Sequence, residues 1–153
     1  MKAKKQANNA TKKANNSIES TQKTPFKPKE YIDAHPYNRN VVDEVKKEIV
    51  DYINSHYKEN KIPVYSDWYI GISKDPDNDR TSDHKTEKNL NKLEDYKKFW
   101  AKSLANARQV ESELCTELEM NHCKSLGGVT AESRWNYVYN LKKSQQTKSK
   151  KSK

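Results

Sequence analysis

The stretch WYIGIS, residues 68–73, is the least polar part of a chain that is 33% charged and 32% apolar. Its aromatic and β-branched residues favour a strand, and the turn-forming residues Ser66–Asp67 and Asp75–Pro76 bound it on either side. The stretch therefore predicts a β-strand. Alternation along a strand assigns its residues to two faces. One face would carry Trp68, Ile70 and Ile72, and the other Tyr69, Gly71 and Ser73.

Helical periodicity appears on both sides of this strand. Apolar residues recur at four-residue steps from Val41 to Tyr57, which predicts a helix over about 40–58 with Asn40 as its N-cap. A second helix is predicted over about 104–120, with Ser103 as its N-cap. The spacing of apolar residues therefore places one helix before the strand and one after it.

The remaining stretches complete the predicted fold. Two further strands are expected within 96–104 and 135–141, and a short helix is expected to run from the Asp75–Pro76 turn to His84. We therefore predict an α+β fold, in which a small three-stranded antiparallel sheet is flanked by helices and carries an added N-terminal helix.

The net charge of +9 is concentrated at the two ends of the chain. Residues 1–29 contain eight Lys and one Glu, and residues 142–153 contain six Lys and no acid, whereas residues 30–141 carry a net charge of −4. Both ends are also poor in apolar residues, which is typical of disorder. We therefore predict a disordered basic segment at 1–38, a domain at 39–141 and a disordered Lys-rich tail at 142–153.

Basic ends often bind nucleic acid, because their charges release counterions from phosphates. DNA or another nucleic acid is thus the expected partner, although a tail that only keeps the protein soluble is an equal alternative. The candidate nucleic-acid contacts are Lys4, Lys5, Lys12, Lys13, Lys150 and Lys151. The segment 24–37 could instead dock a protein partner.

Three sequence features bear on the cellular location of the protein: its cysteines, its N-terminus and its apolar stretches. Two cysteines are too few for a disulfide scaffold, and the basic N-terminus is not followed by the apolar run of a secretory signal. No stretch approaches the roughly 20 apolar residues of a membrane span. We expect an intracellular, cytoplasmic protein with no membrane partner.

Two groups of polar residues are candidates for chemistry. Glu111 falls within the apolar stripe of the predicted 104–120 helix, where a carboxylate is costly unless it is paired, protonated or bound to a cation. Arg80 and His84 are four residues apart and would point the same way on a helix. Glu111 is either a carboxylate paired at the edge of the stripe, or a metal ligand or acid/base in a cleft.

These residues occur in the order of a known signature. The sequence YIGIS, an Asp-Pro turn, Arg80 and His84 resemble the second half of the GIY-YIG endonuclease signature. The stretch 63–141 is also similar to small bacterial and phage proteins of this type, through YIGIS, ARQVE (107–111), Gly127–Gly128 and YVY (137–139). The first half of the signature, the GIY strand, has no counterpart here, and Asp79 stands where the arginine is expected.

The resemblance implies hydrolysis of DNA phosphodiesters by a divalent-metal-dependent endonuclease. Tyr69 would position or activate water, Arg80 would neutralise the phosphate, His84 would complete the catalytic set, and Glu111 would hold Mg²⁺ or Mn²⁺. Gly71 and Ser73 would form the structural part of the motif.

Two further interpretations remain open at this stage. The domain could be a non-catalytic module that binds nucleic acid or a protein through its basic tails. In addition, its tryptophans and tyrosines could stack on bases, although core packing is the commoner use of such residues. The aromatic residues concerned are Trp68, Trp100, Trp135, Tyr137 and Tyr139.

Overall fold

The computed structural model describes residues 25–80, 85, 90, 92–122 and 129–152, with the backbone alone at 79, 80 and 147–152. The helices are α1 (Pro28–Ala34), α2 (Arg39–Asn54), α3 (Leu104–Leu118) and α4 (Leu141–Ser152). The strands are β1 (Trp68–Ser73), β2 (Lys97–Trp100), β3 (Asn121–His122) and β4 (Trp135–Asn140). A short 3₁₀ helix (Tyr65–Asp67) precedes β1, and a π-helical turn (Pro76–Arg80) follows it.

The strands form one mixed sheet in the order β2-β4-β1-β3. β1 pairs antiparallel with β4 along its whole length, and β4 pairs antiparallel with β2, so the predicted three-stranded antiparallel unit is present. The prediction was incomplete, because β3 adds a fourth strand parallel to β1. β3 has only two residues, too few for a periodic pattern, and the Asn121 side chain holds it by donating to the carbonyls of Ser66 (2.6 Å) and Trp68 (3.2 Å).

Helices α2 and α3 cover one face of the sheet, which we call the helix face. Trp68, Ile70 and Ile72 of β1 share a hydrophobic core with both helices. The side chain of Asn136, in β4, is fully buried there and donates to the carbonyl of Ala107 in α3 (3.0 Å). The residues that α2 buries are Val42, Val45, Ile49 and Ile53. The predicted apolar stripes of both helices therefore mark their contact with the sheet.

The helix boundaries follow from capping and differ slightly from the prediction. α2 is capped by the side chain of Asn38, which accepts from the Val41 amide (3.1 Å); the prediction of Asn40 was two residues late. Ser103 caps α3 as predicted, by accepting from the Asn106 amide (3.1 Å). The buried Asn106 side chain accepts from the Asn38 amide (2.7 Å), so it fixes the two helix starts to each other.

The opposite face of the sheet, which we call the tyrosine face, has a core of its own. Tyr69 stacks between Tyr137 and Tyr139, with ring centroids 6.3 and 5.2 Å away. Leu90 and Leu93 are buried in the same cluster. All six residues of β1 are therefore buried, three on each face of the sheet. A strand buried on both faces explains why WYIGIS is the least polar part of the chain.

The close packing of the tyrosine face depends on Gly71. A Cβ atom at this position would lie 2.4 Å from Cζ and from the hydroxyl oxygen of Tyr137. A heavy-atom contact this short is not tolerated, so any side chain would displace the ring. Gly71 therefore makes room for Tyr137, not for a phosphate or a metal ion.

The two ends of the chain are more ordered than their composition predicts. Disorder was expected over 1–38 and 142–153, but α1 occupies part of the first segment and α4 nearly all of the second. α1 is fixed because Tyr31 and Ile32 pack against the helix-face core. α4 is fixed because the buried Ser144 hydroxyl donates to the Asn140 carbonyl (2.7 Å) and accepts from the Glu94 amide (2.8 Å). Residues 1–24 lie outside the described residues.

We predict that Gly71→Ala lowers the free energy of unfolding by about 1–3 kcal/mol, because the new methyl group overpacks the Tyr137 ring. Urea denaturation monitored by far-UV circular dichroism measures this change. In a Tyr137→Leu background, Gly71→Ala should cost much less, since the obstructing ring atoms are gone. An equal cost in both backgrounds would contradict this explanation.

Candidate functional site

Three of the predicted site residues lie on β1, within the tyrosine face. The Tyr69 ring is stacked between two other tyrosines and is almost fully buried. Gly71 lies beneath Tyr137. The hydroxyl oxygen of Ser73 accepts from the Asp75 amide (3.0 Å) and so starts the turn that follows the strand. Tyr69 and Gly71 therefore take part in packing, and Ser73 takes part in a turn. Aromatic rings cover this face of the strand.

The turn Pro76–Arg80 is tied to β2 through Asp77. The Lys98 ammonium lies 2.7 Å from one carboxylate oxygen of Asp77, and the Tyr96 hydroxyl donates to the other (2.7 Å). The Lys98 hydrogen bond, followed by that of Tyr96, lowers the pKa of Asp77, while burial and then the Asp77 hydrogen bond raise the pKa of Tyr96. The backbone of Arg80 ends this turn, whereas His84 lies outside the described residues.

Glu111 is buried in α3, with only 4% of its surface exposed. Its nearest cation is Arg108, whose Nη1 is 3.4 Å from the carboxyl oxygen, a long and therefore weak hydrogen bond. Burial raises the pKa of Glu111 to about 7, and the charge of Arg108 offsets this only in part. The same burial, followed by the charge of Glu111, raises the pKa of the Cys115 thiol to about 12. Glu111 is thus a buried carboxyl group whose pKa lies near neutral pH.

The sheet separates Glu111 from Tyr69. α3 packs on the helix face, as the Asn136–Ala107 hydrogen bond shows, whereas the Tyr69 ring belongs to the tyrosine face. The structure therefore does not bring the predicted tyrosine and the predicted metal ligand into one cleft. The turn that ends at Arg80 packs on β1 and β4.

Glu111 is the residue to which the resemblance assigns Mg²⁺ or Mn²⁺. Mg²⁺ in proteins usually keeps several water molecules and binds ionised carboxylates. Glu111 is 4% exposed, so the structure leaves little water around this carboxyl group. Within the described ranges, no cluster of three or more His, Cys, Asp or Glu side chains could hold a metal ion.

A tryptophan pair at the end of the sheet brings together two of the residues that the sequence offered as candidates for base stacking. Trp100 of β2 and Trp135 of β4 lie opposite each other, with ring centroids 4.9 Å apart. The Lys98 ammonium lies 4.7 Å from the centroid of the Trp135 ring. The sequence KKFW (97–100) carried a signal for this site, because lysines precede a tryptophan on a short strand. Which of the three tryptophans is exposed depended on the strand pairing.

A second polar region lies where α4 begins. A pocket of about 310 Å³ is lined there by residues of the α2 end, the 94–95 turn and α4. The Asp95 carboxylate accepts from Lys143 (3.2 Å) and faces Nε2 of His56 (3.6 Å). The Tyr52 hydroxyl donates to the Asp95 carbonyl (2.8 Å) and holds this residue, whose φ is +58°. These contacts attach α4 to the domain, and no sequence pattern pointed to them.

Comparison with known proteins does not extend this description. No protein-family model matches the chain, and no curated protein or solved structure matches it significantly. The resemblance to the GIY-YIG endonucleases therefore stays a prediction. No helix in the described part of the chain is both long enough and apolar enough to cross a membrane.

We predict that Glu111 makes stability depend on pH. Its pKa is raised in the folded state, so its contribution is fully present below the unfolded-state pKa and is lost as pH rises through about 7. From about pH 5 to about pH 8, the free energy of unfolding of the wild type should fall by about 2–3 kcal/mol relative to Glu111→Gln. Urea denaturation across this range measures the difference.

The matched control is Glu59→Gln, at an exposed position. Its stability should follow that of the wild type at each pH, because the Glu59 side chain lies in solvent in the folded state as it does in the unfolded chain. Parallel curves for the wild type and Glu111→Gln would show that Glu111 is not a buried titrating group.

Proposed function

We propose that the chain is a non-catalytic nucleic-acid-binding module whose lysine-rich ends contact phosphates. The observation that carries the proposal is α4. Residues 142–153 contain six Lys and no acidic residue, and the helix spans Leu141–Ser152. Lysines on a helix attached to a folded domain suit a polyanion, because they release counterions when they meet phosphates.

The attachment of α4 makes this a defined surface. The Asn140 side chain accepts from the Lys143 amide (2.8 Å), and Ser144 is fully buried at the first turn. A helix of 12 residues is about 18 Å long, which corresponds to several phosphates of a nucleic-acid strand. The lysines of the C-terminal segment are therefore presented from a fixed origin on the domain. Lys150 and Lys151, expected in a disordered tail, fall within this helix.

The charge distribution supports the same proposal. The segment 30–141 carries a net charge of −4, so the overall charge of the folded part repels phosphate, and the positive charge of the ends offsets this repulsion. Among the side chains that the structure describes, no carboxylate of α3 pairs with a lysine of α4. Instead, Glu113 pairs with Arg39 (2.6 Å) and Lys46 (2.8 Å) of α2, and the hydrogen bond from Arg39 is the main reason that the pKa of Glu113 is lowered.

Hydrolysis is not part of the proposal. The chemistry that the resemblance implies requires Tyr69 and Glu111 at one phosphate, and these residues lie on opposite faces of the sheet. We expect plasmid DNA to stay intact when it is incubated with the protein and Mg²⁺ or Mn²⁺. Nicking by the wild type that is absent in Glu111→Ala would contradict a non-catalytic role and restore the nuclease prediction.

We predict that replacing Lys148, Lys150 and Lys151 by Gln weakens binding to duplex DNA and reduces its salt dependence. The slope of log K against log[salt] should fall by roughly one for each lysine that contacts phosphate. Fluorescence anisotropy of a labelled duplex, titrated with protein at several salt concentrations, measures both quantities.

The control is the triple variant in which Lys58, Lys61 and Lys92, all exposed on the domain, are replaced by Gln. It has the same net charge, so a specific role for α4 requires that it bind nearly as well as the wild type. Equal losses in the two variants would reduce the effect to net charge alone. Absence of salt-dependent binding by the wild type would refute the proposed function.

A further inference from the structure

The Trp100–Trp135 pair lies at an accessible end of the sheet. Trp100 is 44% exposed, whereas Trp68 is fully buried in the core. β2 is an edge strand, and the register places Trp100 opposite Trp135, which in turn lies opposite Ser73 of β1. Exposing an indole ring forgoes the favourable burial of a large apolar surface. A function at this position would account for that exposure.

Positively charged side chains surround this end of the sheet. Lys74 directly follows β1, Arg134 directly precedes β4, and Lys102 lies two residues beyond β2. Lys74 and Lys102 are exposed, and Lys98 lies against the Trp135 ring. Lys98 thus contacts the tryptophan pair, and three further cationic residues lie next to the strand ends at the same end of the sheet.

Carboxylates also lie in this region. Glu48 and Asp51 line a pocket together with Lys97, Lys98 and Trp100. Asp75, Asp77 and Glu132 lie near the ends of the strands. Asp77 binds Lys98 and Tyr96. Asp75 accepts from the side-chain amide of Asn78 (2.9 Å). Glu132 is exposed, near Thr130. Since Asp51 pairs with Lys47 and Asp77 with Lys98, the exposed Lys74, Lys97 and Lys102 are the cations near the tryptophan pair that a phosphate could reach.

We propose, on the basis of the proposed function, that Trp100 and Trp135 form a base-stacking platform and that the ligand of the module is single-stranded nucleic acid. Every base offers a π-face to an aromatic ring, so stacking tolerates any sequence. In a duplex these faces are already stacked on their neighbours. An exposed indole with lysines beside it therefore favours a strand with unpaired bases, whose phosphates the cations neutralise.

The test compares single-stranded with duplex binding. Trp100→Ala should weaken binding to oligothymidylate by roughly 10- to 100-fold, and should leave binding to a duplex of the same length, and its salt slope, unchanged. Oligouridylate should lose affinity to the same extent, because stacking does not read the sugar. Anisotropy of the labelled strands measures affinity, and quenching of tryptophan fluorescence by the bound bases reports the contact directly.

Two variants keep the test specific. Trp100→Phe retains an aromatic face and should keep most of the affinity for oligothymidylate. Ile62→Ala removes an apolar side chain that is 86% exposed elsewhere on the domain, and it should have no effect. Thermal unfolding of each variant checks that the fold is intact; since Trp100 is exposed, its replacement should leave the midpoint nearly unchanged.

The outcomes separate this inference from the proposed function. If Trp100→Ala binds oligothymidylate as the wild type does, while the α4 lysine variant binds less tightly, the platform is refuted and the proposed function stands. Equal losses of Trp100→Ala on single strands and duplexes refute the preference for unpaired bases. If the wild type binds no nucleic acid, both proposals fail, and a protein partner becomes the explanation for the exposed tryptophan.

Discussion

The contact of the Tyr137 ring with the backbone of Gly71 is the constraint on which the sheet depends. Only a residue without a Cβ atom leaves space for this ring. With Tyr137 in place, Tyr69 and Tyr139 stack beside it and close the tyrosine face. β1 is then buried on both sides, so a chain that is mostly polar concentrates its few apolar residues where they remove the most surface from water.

A sheet with two covered faces also determines where function can be located. Both faces of the central strands are covered, because aliphatic side chains and two helices pack on one face and aromatic rings pack on the other. Tyr69 and Glu111, which the resemblance would unite, are separated by the sheet itself. The two proposed contacts with nucleic acid therefore lie at the periphery of the domain. One is Trp100 on the edge strand β2, and the other is the basic helix α4.

The sequence predicted those parts of the fold that local patterns determine. The stripe from Val41 to Tyr57 correctly predicted a helix, although this helix already ends at Asn54, and the stripe from Leu104 to Leu118 correctly predicted a second one. Alternation in WYIGIS correctly predicted two faces. The alternation could not show that both faces are covered, because Gly71 is as compatible with a ligand as with a tyrosine ring from another strand. α4 was missed for a similar reason: its lysines favour disorder, and its anchor, Ser144, has partners about 50 residues away or at the end of β4.

The candidate site was predictable only in its composition. Glu111 was correctly identified as a carboxyl group within an apolar stripe, and burial accounts for its raised pKa. Its side of the sheet, however, depends on the packing of α3, which a single sequence does not specify. The Trp100–Trp135 pair likewise arises from the register of β2 on β4, so neither tryptophan could be assigned a partner from the sequence.

The buried hydrogen bond from Asn136 to the Ala107 carbonyl has a consequence for how the sheet finds its alignment. In β4, Asn136 and Val138 point to the helices while Tyr137 and Tyr139 point away from them. A slip of β4 by one residue would push two tyrosines under α3 and withdraw the amide from the carbonyl that it satisfies. A polar group in the core is a poor source of stability, but here the hydrogen bond from Asn136 to Ala107 disfavours a shifted alignment of β4. Replacing Asn136 by an aliphatic residue would retain the hydrophobicity of the core and discard one of the interactions that distinguish the native register from its neighbours.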